Sequence, residues 1–309
     1  MNKLLFLYTD PSEKADLLIM TEALKAVFRK FRKSVAFSFL NIDFSPFCRS
    51  EMKKRFCESV SEADGIMFFG RRKDADEETL FFKECSDIHS IQYFSSGKCI
   101  CYPVTVHSSS TSDNSFVEEI SRTDLSSVEK TAKLAISCAM KKKELLLCTD
   151  TTKEADRIIY NEFTNSMNNT RGLDIEHFDF DEFISMFSVK IPSSDVILTT
   201  QGNVRVIASI INSLNKFPAG YSVYHSSNQR IYKREFHPYD GISNISYAGA
   251  LIACGSMIEN ELGFKNAGVH LRKAVAQALE KCCYSSKSDF QNNLLFEIAS
   301  PLRNRRMKT

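Results

Sequence analysis

The chain has 309 residues, 43% hydrophobic and 25% charged, with a formal net charge of +2. Such a length can bury a full core and exceeds a usual single domain. The near-neutral balance provides no bulk field for nucleic acid or membrane, and no window approaches the roughly 20 apolar residues of a membrane span.

Leu4 to Tyr8 reads as a first strand. It is too short for a signal-peptide core, so a soluble, cytoplasmic protein is expected. Asp10-Pro11-Ser12-Glu13 then supplies helix-start residues, with proline inside the first turn. The helix from Ser12 to about Lys33 carries apolar residues at Leu17, Met20, Leu24, Val27 and Phe28. Ser34 to Ile42 reads as a strand, Met52 to Val60 as a helix, and Gly65 to Phe69 as a buried strand ended by Gly70. Residues 104–123, with HSSSTSDNS, have no period and read as a mobile loop.

Ser126 to Met140 follows as a helix, Leu145 to Cys148 as a strand, Lys153 to Asn168 as a helix and Leu173 to Phe180 as a strand. Val196 to Thr199 reads as a strand, Val204 to Leu214 as a helix and Tyr221 to Tyr224 as a strand. Ser246 to Ala299 reads as three helices broken near Gly263 and Ser285, and the basic tail PLRNRRMKT as a solvated end. Apolar strands alternating with helices predict an α/β protein with a mostly parallel sheet. The ten cysteines show no CxxC and no zinc spacing. Cys138, Cys148 and Cys254 fall in apolar runs, where a reduced thiol behaves as a small hydrophobe.

Three blocks carry a family resemblance. The first is Met1 to Gly70, with TEALKAVF and EADGIMFFG. The second is EKTAKLAISCAMKKKELLLCTD, followed by a helix and DIEHFDFDEF. The third runs from Asp195 to Gly263, with DVILTTQGNVRVIASIINSL and HPYDGISNISYAGALIACGSMIENELG. In this order they resemble the metal-dependent β-decarboxylating dehydrogenases, the isopropylmalate and isocitrate dehydrogenases. The resemblance implies two α/β domains with a cleft between them. The first, residues 1–99 plus 216–309, contains both termini; the second, residues 100–215, is an insertion. It also implies a homodimer formed partly through the helix with Val206, Ile207, Ile210, Ile211 and Leu214. An ordinary buried core helix has the same periodicity.

In that family three aspartates hold magnesium or manganese, as hard ions require. Asp181 stands at one of these positions, while Arg205 and Ser209 stand at the other two. A guanidinium brings a fixed positive charge where the ion should sit, so Asp181 reads as a vestigial metal ligand. One expectation is that Arg205 pairs with Asp181; the other is a solvated Arg205 and a helix-capping Asp181. The family moves protons with a lysine and a tyrosine. Thr151 falls where the lysine belongs, Lys153 comes two residues later, and the polar stretch 104–123 replaces the tyrosine-bearing one.

The arginines that clamp a dicarboxylate have no counterpart in FFKECSDIHSIQYFSSGKCICYPV; Arg71 and Arg72 are the nearest alternatives, with a solvated turn the commoner case. The first nucleotide loop, Tyr8 to Glu13, has no glycine and carries carboxylates that repel a pyrophosphate. In the later loop, Ile231 to Gly241, Gly241 matches a family glycine and Lys233 falls near the family histidine; its charges suit an anion or a solvated loop. No GxSxG, GxxxxGK[ST] or HExxH occurs.

A frame kept while four sites are lost together fits poorly with the same transition state. The expectation is a non-catalytic homologue, a pseudoenzyme with no cofactor. It would act as a binding, regulatory or subunit-partner protein, in a homodimer or a heteromer with an active homologue. The alternative is a divergent but active NAD(P)-dependent oxidative decarboxylase of a malate-type 2-hydroxy acid. A nucleic-acid role rests only on Lys141 to Lys143 and the basic tail, with no aromatic platform beside them. No membrane partner is expected.

Overall fold

The computed structural model describes residues 1–10, 13–44, 49–69, 81, 89–93, 99–102, 107–110, 116–119, 122–139, 144–167, 170, 172–187, 196–199, 203, 206–207, 210, 221–225, 230–234, 243–282 and 286–300. The chain divides into two compact units. One comprises Met1–Ser86, Ala219–Ser222 and Gln229–Thr309; the other comprises Asp87–Pro218 and Val223–Asn228.

The first unit opens with β1 (Asn2–Tyr8), α1 (Glu13–Lys30), β2 (Val35–Asn41), α2 (Arg49–Ser61) and β3 (Gly65–Phe69). The three strands are parallel with β1 central, Asn2 opposite Val35 and Leu4 opposite Gly65. Parallel strands are covered on both faces. Accordingly Leu4 to Leu7 and all of β3 are buried, and the Phe6 ring lies between those of Phe37, Phe39 and Phe69.

The second unit contains β4 (His89–Tyr93), β5 (Cys99–Tyr102), β6 (His107–Ser110), β7 (Phe116–Glu119), α3 (Arg122–Ala139), β8 (Glu144–Thr149), α4 (Glu154–Met167), β9 (Asp174–Asp179), α5 (Phe180–Phe187) and β10 (Val196–Thr199). Its sheet runs β4-β5-β10-β8-β9, parallel except for the antiparallel β4–β5 pair. Side chains alternate across a strand, and β8 shows the result. Leu145 and Leu147 pack with α3 and α4, whereas Leu146 and Cys148 pack with Phe183 of α5 and with Ile207.

The rest of the first unit follows β11 (Tyr221–His225), with β12 (Arg230–Arg234), α6 (Ser243–Asn260), α7 (Lys265–Cys282) and α8 (Lys287–Ala299). β12 joins β3 in parallel, Ile231 opposite Ile66. In α6 every residue from Tyr247 to Ile258 is buried. One side reaches the sheet, where Met257 lies against Gly65; the other meets α7 backbone to backbone. A Cβ added at Gly268 would lie 2.3 Å from the Gly255 carbonyl oxygen and 3.1 Å from the Glu259 nitrogen. In the turn after α6, Gly263 has a φ of 69°, which lets the Phe264 N–H reach the Ile258 carbonyl at 3.0 Å.

The two ends of the chain meet in this unit. Lys30, the last residue of α1, donates from Nζ to the carbonyls of Ile298 (2.6 Å) and Ser300 at the end of α8. Those carbonyls lack helical partners, and a cation satisfies them. His270 Nε2 lies 3.1 Å from the same ammonium and 2.9 Å from the Ile298 oxygen. Burial holds the His270 imidazole below its usual value; the Ile298 carbonyl opposes this, and Lys30 and Lys273 reinforce it.

Two expectations are corrected. Residues 107–110 and 116–119 lie within the expected mobile loop but form an antiparallel ribbon, His107 opposite Glu119. Backbone pairing in a two-stranded ribbon needs no apolar period, so hydropathy is blind to it. Residues 231–234 are strand, not loop: Ile231, Tyr232 and Lys233 are all buried in β12. The charged lysine disguises the run. β4 and β5 have no counterpart among the predicted elements. Of the expected helix at 204–214, residues 206, 207 and 210 are helical, while Ile211 and Leu214 lie outside the described residues. Among the described residues no helix is long and apolar enough to cross a membrane.

Gly268→Ala must push the two helices apart, a cost of about 1–3 kcal/mol for overpacking. A lowered urea midpoint is the expected result; an unchanged midpoint would contradict the tight crossing. As pH falls below about 6.5, the unfolded chain protonates His270 before the folded chain does, so stability present above that pH is lost. Urea midpoints followed from about pH 7.5 to 5 should therefore fall less steeply for His270→Gln than for the parent.

Candidate functional site

Open α/β sheets present ligand sites at the carboxyl ends of their parallel strands. In the second unit β8 ends at Thr149 and β9 at Asp179, residues that face each other in register. The turn after Thr149 carries most of the local polarity. Thr151 donates its backbone N–H to Asp179 Oδ2 at 3.2 Å and its hydroxyl to the same oxygen. Asp150 Oδ1 accepts the Thr152 N–H at 3.2 Å and the Thr152 hydroxyl, while Oδ2 pairs with Lys153 Nζ at 2.7 Å. Lys153 and Thr152 together hold the Asp150 carboxyl below its usual range.

One layer deeper lies Asp156, in the first turn of α4 and 6% exposed. Its Oδ2 accepts the Asp150 N–H at 2.8 Å and the amide of buried Asn203 at 3.2 Å. A buried carboxylate needs such donors to offset desolvation. Beside it, His177 Nε2 is 3.0 Å from the Thr149 hydroxyl, and its ring centroid is 4.4 Å from that of Tyr160. Burial depresses the His177 basicity, opposed by Asp179 and Glu182. Burial pushes the Cys148 thiol up to about 12; Thr199 partly counters this, and Asp179, Asp156 and Asp150 add to it. The thiol therefore stays protonated and is no nucleophile.

Asp181 is exposed in the first turn of α5, where an acid complements the helix N-terminus. Its backbone carbonyl accepts the Ser185 hydroxyl at 2.9 Å. Arg205 and Ser209 lie outside the described residues, so no Asp181–Arg205 pair is described. The described acids at this strand edge are already engaged. Asp150, Asp156 and Asp179 are each bound by neighbouring donors, and among the described residues no three His, Cys, Asp or Glu side chains converge to hold a metal. Asp156, His177, Asp179 and Asn203 had no place among the candidate residues read from sequence. The sequence does place an acid in the first turn of a helix after Asp-Thr-Thr-Lys, but helix-start chemistry accounts for that pattern equally well.

In the first unit the expected nucleotide loops divide. Tyr8 to Asp10 is described: the Tyr8 carbonyl accepts the Ile42 N–H at 2.7 Å, and oxygens of Thr9 and Asp10 are buried. Lys233 sits inside β12 opposite Phe68, 7% exposed, and so belongs to the sheet. Arg71, Arg72 and Gly241 lie outside the described residues.

No family model matches the sequence, and no curated protein matches it. Solved structures do match. Isocitrate dehydrogenase from Methylococcus capsulatus superposes with a TM-score of 0.73 at 9% identity, covering 97% of this chain and 100% of that one. A β-decarboxylating dehydrogenase from Thermococcus kodakarensis, in its apo form, gives 0.71 at 13% identity over 96% of both chains. A protein from Thermus thermophilus gives 0.75 at 12% identity, covering 98% of this chain and 69% of that one. At such identities the likeness speaks for architecture alone: the chain has the isocitrate/isopropylmalate dehydrogenase fold.

Proposed function

We propose that this chain is a non-catalytic protein on a decarboxylating-dehydrogenase fold, serving as a binding, regulatory or subunit-partner protein. The turn after β8 carries the reading. Oxidative decarboxylation of a 2-hydroxy acid needs a divalent ion and a group that moves protons. At the position that the resemblance gives to the lysine, Thr151 has its amide and its hydroxyl on Asp179. The only ammonium in that turn, Lys153, is paired with Asp150. Asp150, Asp156 and Asp179 are bonded to the same turn, so the polar ends of the strands hold each other. The test is a thermal-shift panel of NAD, NADP, magnesium, manganese and 2-hydroxy diacids. Melting temperatures within about 1 °C of the ligand-free protein are expected, since only a binder of the native state raises Tm. A shift of several degrees with a dinucleotide plus a metal would instead favour the alternative, a divergent NAD(P)-dependent oxidative decarboxylase.

The partner in this reading is a second copy or an active homologue. What supports it is Val206, 45% exposed and next to the fully buried Ile207. Among the described residues of this helix, Val206 is the apolar side chain left outward, at the position where the family resemblance puts the subunit contact. Light scattering should give the mass of a dimer for the parent and of a monomer for Val206→Lys; a variant that keeps the dimer mass overturns the assignment.

A further inference from the structure

Two stretches of the first unit carry cations and no acids. Residues 23–42 hold Lys25, Arg29, Lys30, Arg32 and Lys33, and residues 262–279 hold Lys265, Arg272 and Lys273; neither stretch contains an aspartate or glutamate. They are far apart in sequence, and the fold brings them together. Lys33 Nζ lies 4.6 Å above the Phe264 ring, next to Lys265. The Phe28 ring meets the edge of Phe264, with centroids 6.4 Å apart. Phe31 meets His270 at 5.5 Å, and His270 lies three residues before Lys273 on α7.

Arg29, Arg32, Lys33, Lys265 and Lys273 are exposed. None of these five is in an ion pair among the described residues. The carboxylates just upstream are engaged elsewhere: Glu259 by Arg272 at 2.5 Å, Glu261 by Arg230 at 3.2 Å and Tyr232 at 2.7 Å. Cations at the end of α1 complement its dipole, but that effect fades within the last turn. It accounts for Lys30, which bonds helix-end carbonyls, and not for Lys265 or Lys273 on a different helix. Between the free cations stand two half-buried rings, Phe31 and Phe264.

From this juxtaposition we infer that the face formed by the end of α1 and the first half of α7 is a binding surface for single-stranded nucleic acid. Phosphates would meet the five cations, and bases would lie against the accessible parts of Phe31 and Phe264, the latter once Lys33 turns from the ring to a phosphate. Such a pairing of basic groove and aromatic platform tolerates any sequence. A lipid surface is the poorer match, because the two rings are half-buried and do not project for insertion. Its five cations belong neither to the Lys141 to Lys143 run nor to the C-terminal tail. It is also independent of the reading of the turn after β8.

The test is fluorescence anisotropy of the full chain with a labelled single-stranded RNA oligonucleotide. Neutralising five phosphates gives a log–log salt slope of about −3.5, a loss of roughly 100-fold in affinity between about 50 and 200 mM salt. Arg32→Glu, Lys33→Glu and Lys265→Glu combined should abolish binding. Lys54→Glu with Arg55→Glu on α2 should leave it intact, with both variants checked for native melting. The inference is overturned by absent binding, by equal loss in the two variants, or by binding to phosphatidylserine vesicles without binding to RNA.

Discussion

Asp179 stands half-buried at the end of β9, and its carboxylate takes its donors from the neighbouring strand's turn. Its bonds to the Thr151 amide and hydroxyl tie the carboxyl edges of β8 and β9 together. Everything at this edge follows from that tie. With the turn folded down onto β9, the Asp150 amide faces Asp156, Asp156 faces Asn203, and Lys153 closes back on Asp150. A ligand there would compete with a completed network, and such networks are held most firmly when every member is satisfied.

The strands and most helices were legible because burial writes itself into sequence. β3 and β10 coincide with their predicted spans, since a fully covered parallel strand is a short unbroken apolar run. The three C-terminal helices were legible from their breaks, and Gly263 is indeed the left-handed residue at the first of them. Two kinds of element were hidden. The β6–β7 ribbon sets the serines of β6 against Phe116 to Glu119 through backbone pairing, a match that hydropathy does not record. β12 buries Lys233 inside a sheet, contrary to the usual place of lysine.

The site was less legible than the fold. The family resemblance points to Asp181, which is exposed on a helix end, whereas the interactions centre on Asp179, two residues earlier. Nothing in the order of letters distinguishes the two aspartates of HFDFDEF. Only the register that sets Thr149 against Asp179 does so. The basic face of the first unit was hidden for a related reason. Its two halves are more than 200 residues apart, so no local charge run announces them.

The bond from Lys30 to the carbonyl of Ser300 spans 270 positions of the chain. During synthesis the opening strands must therefore wait for the last helices before their sheet and covering layer are complete. The intervening unit has its own apolar clusters and can mature first. Until α6 and α8 are made, the apolar strands β1 and β3 lack their full cover, and it is in this interval that a chaperone would matter most.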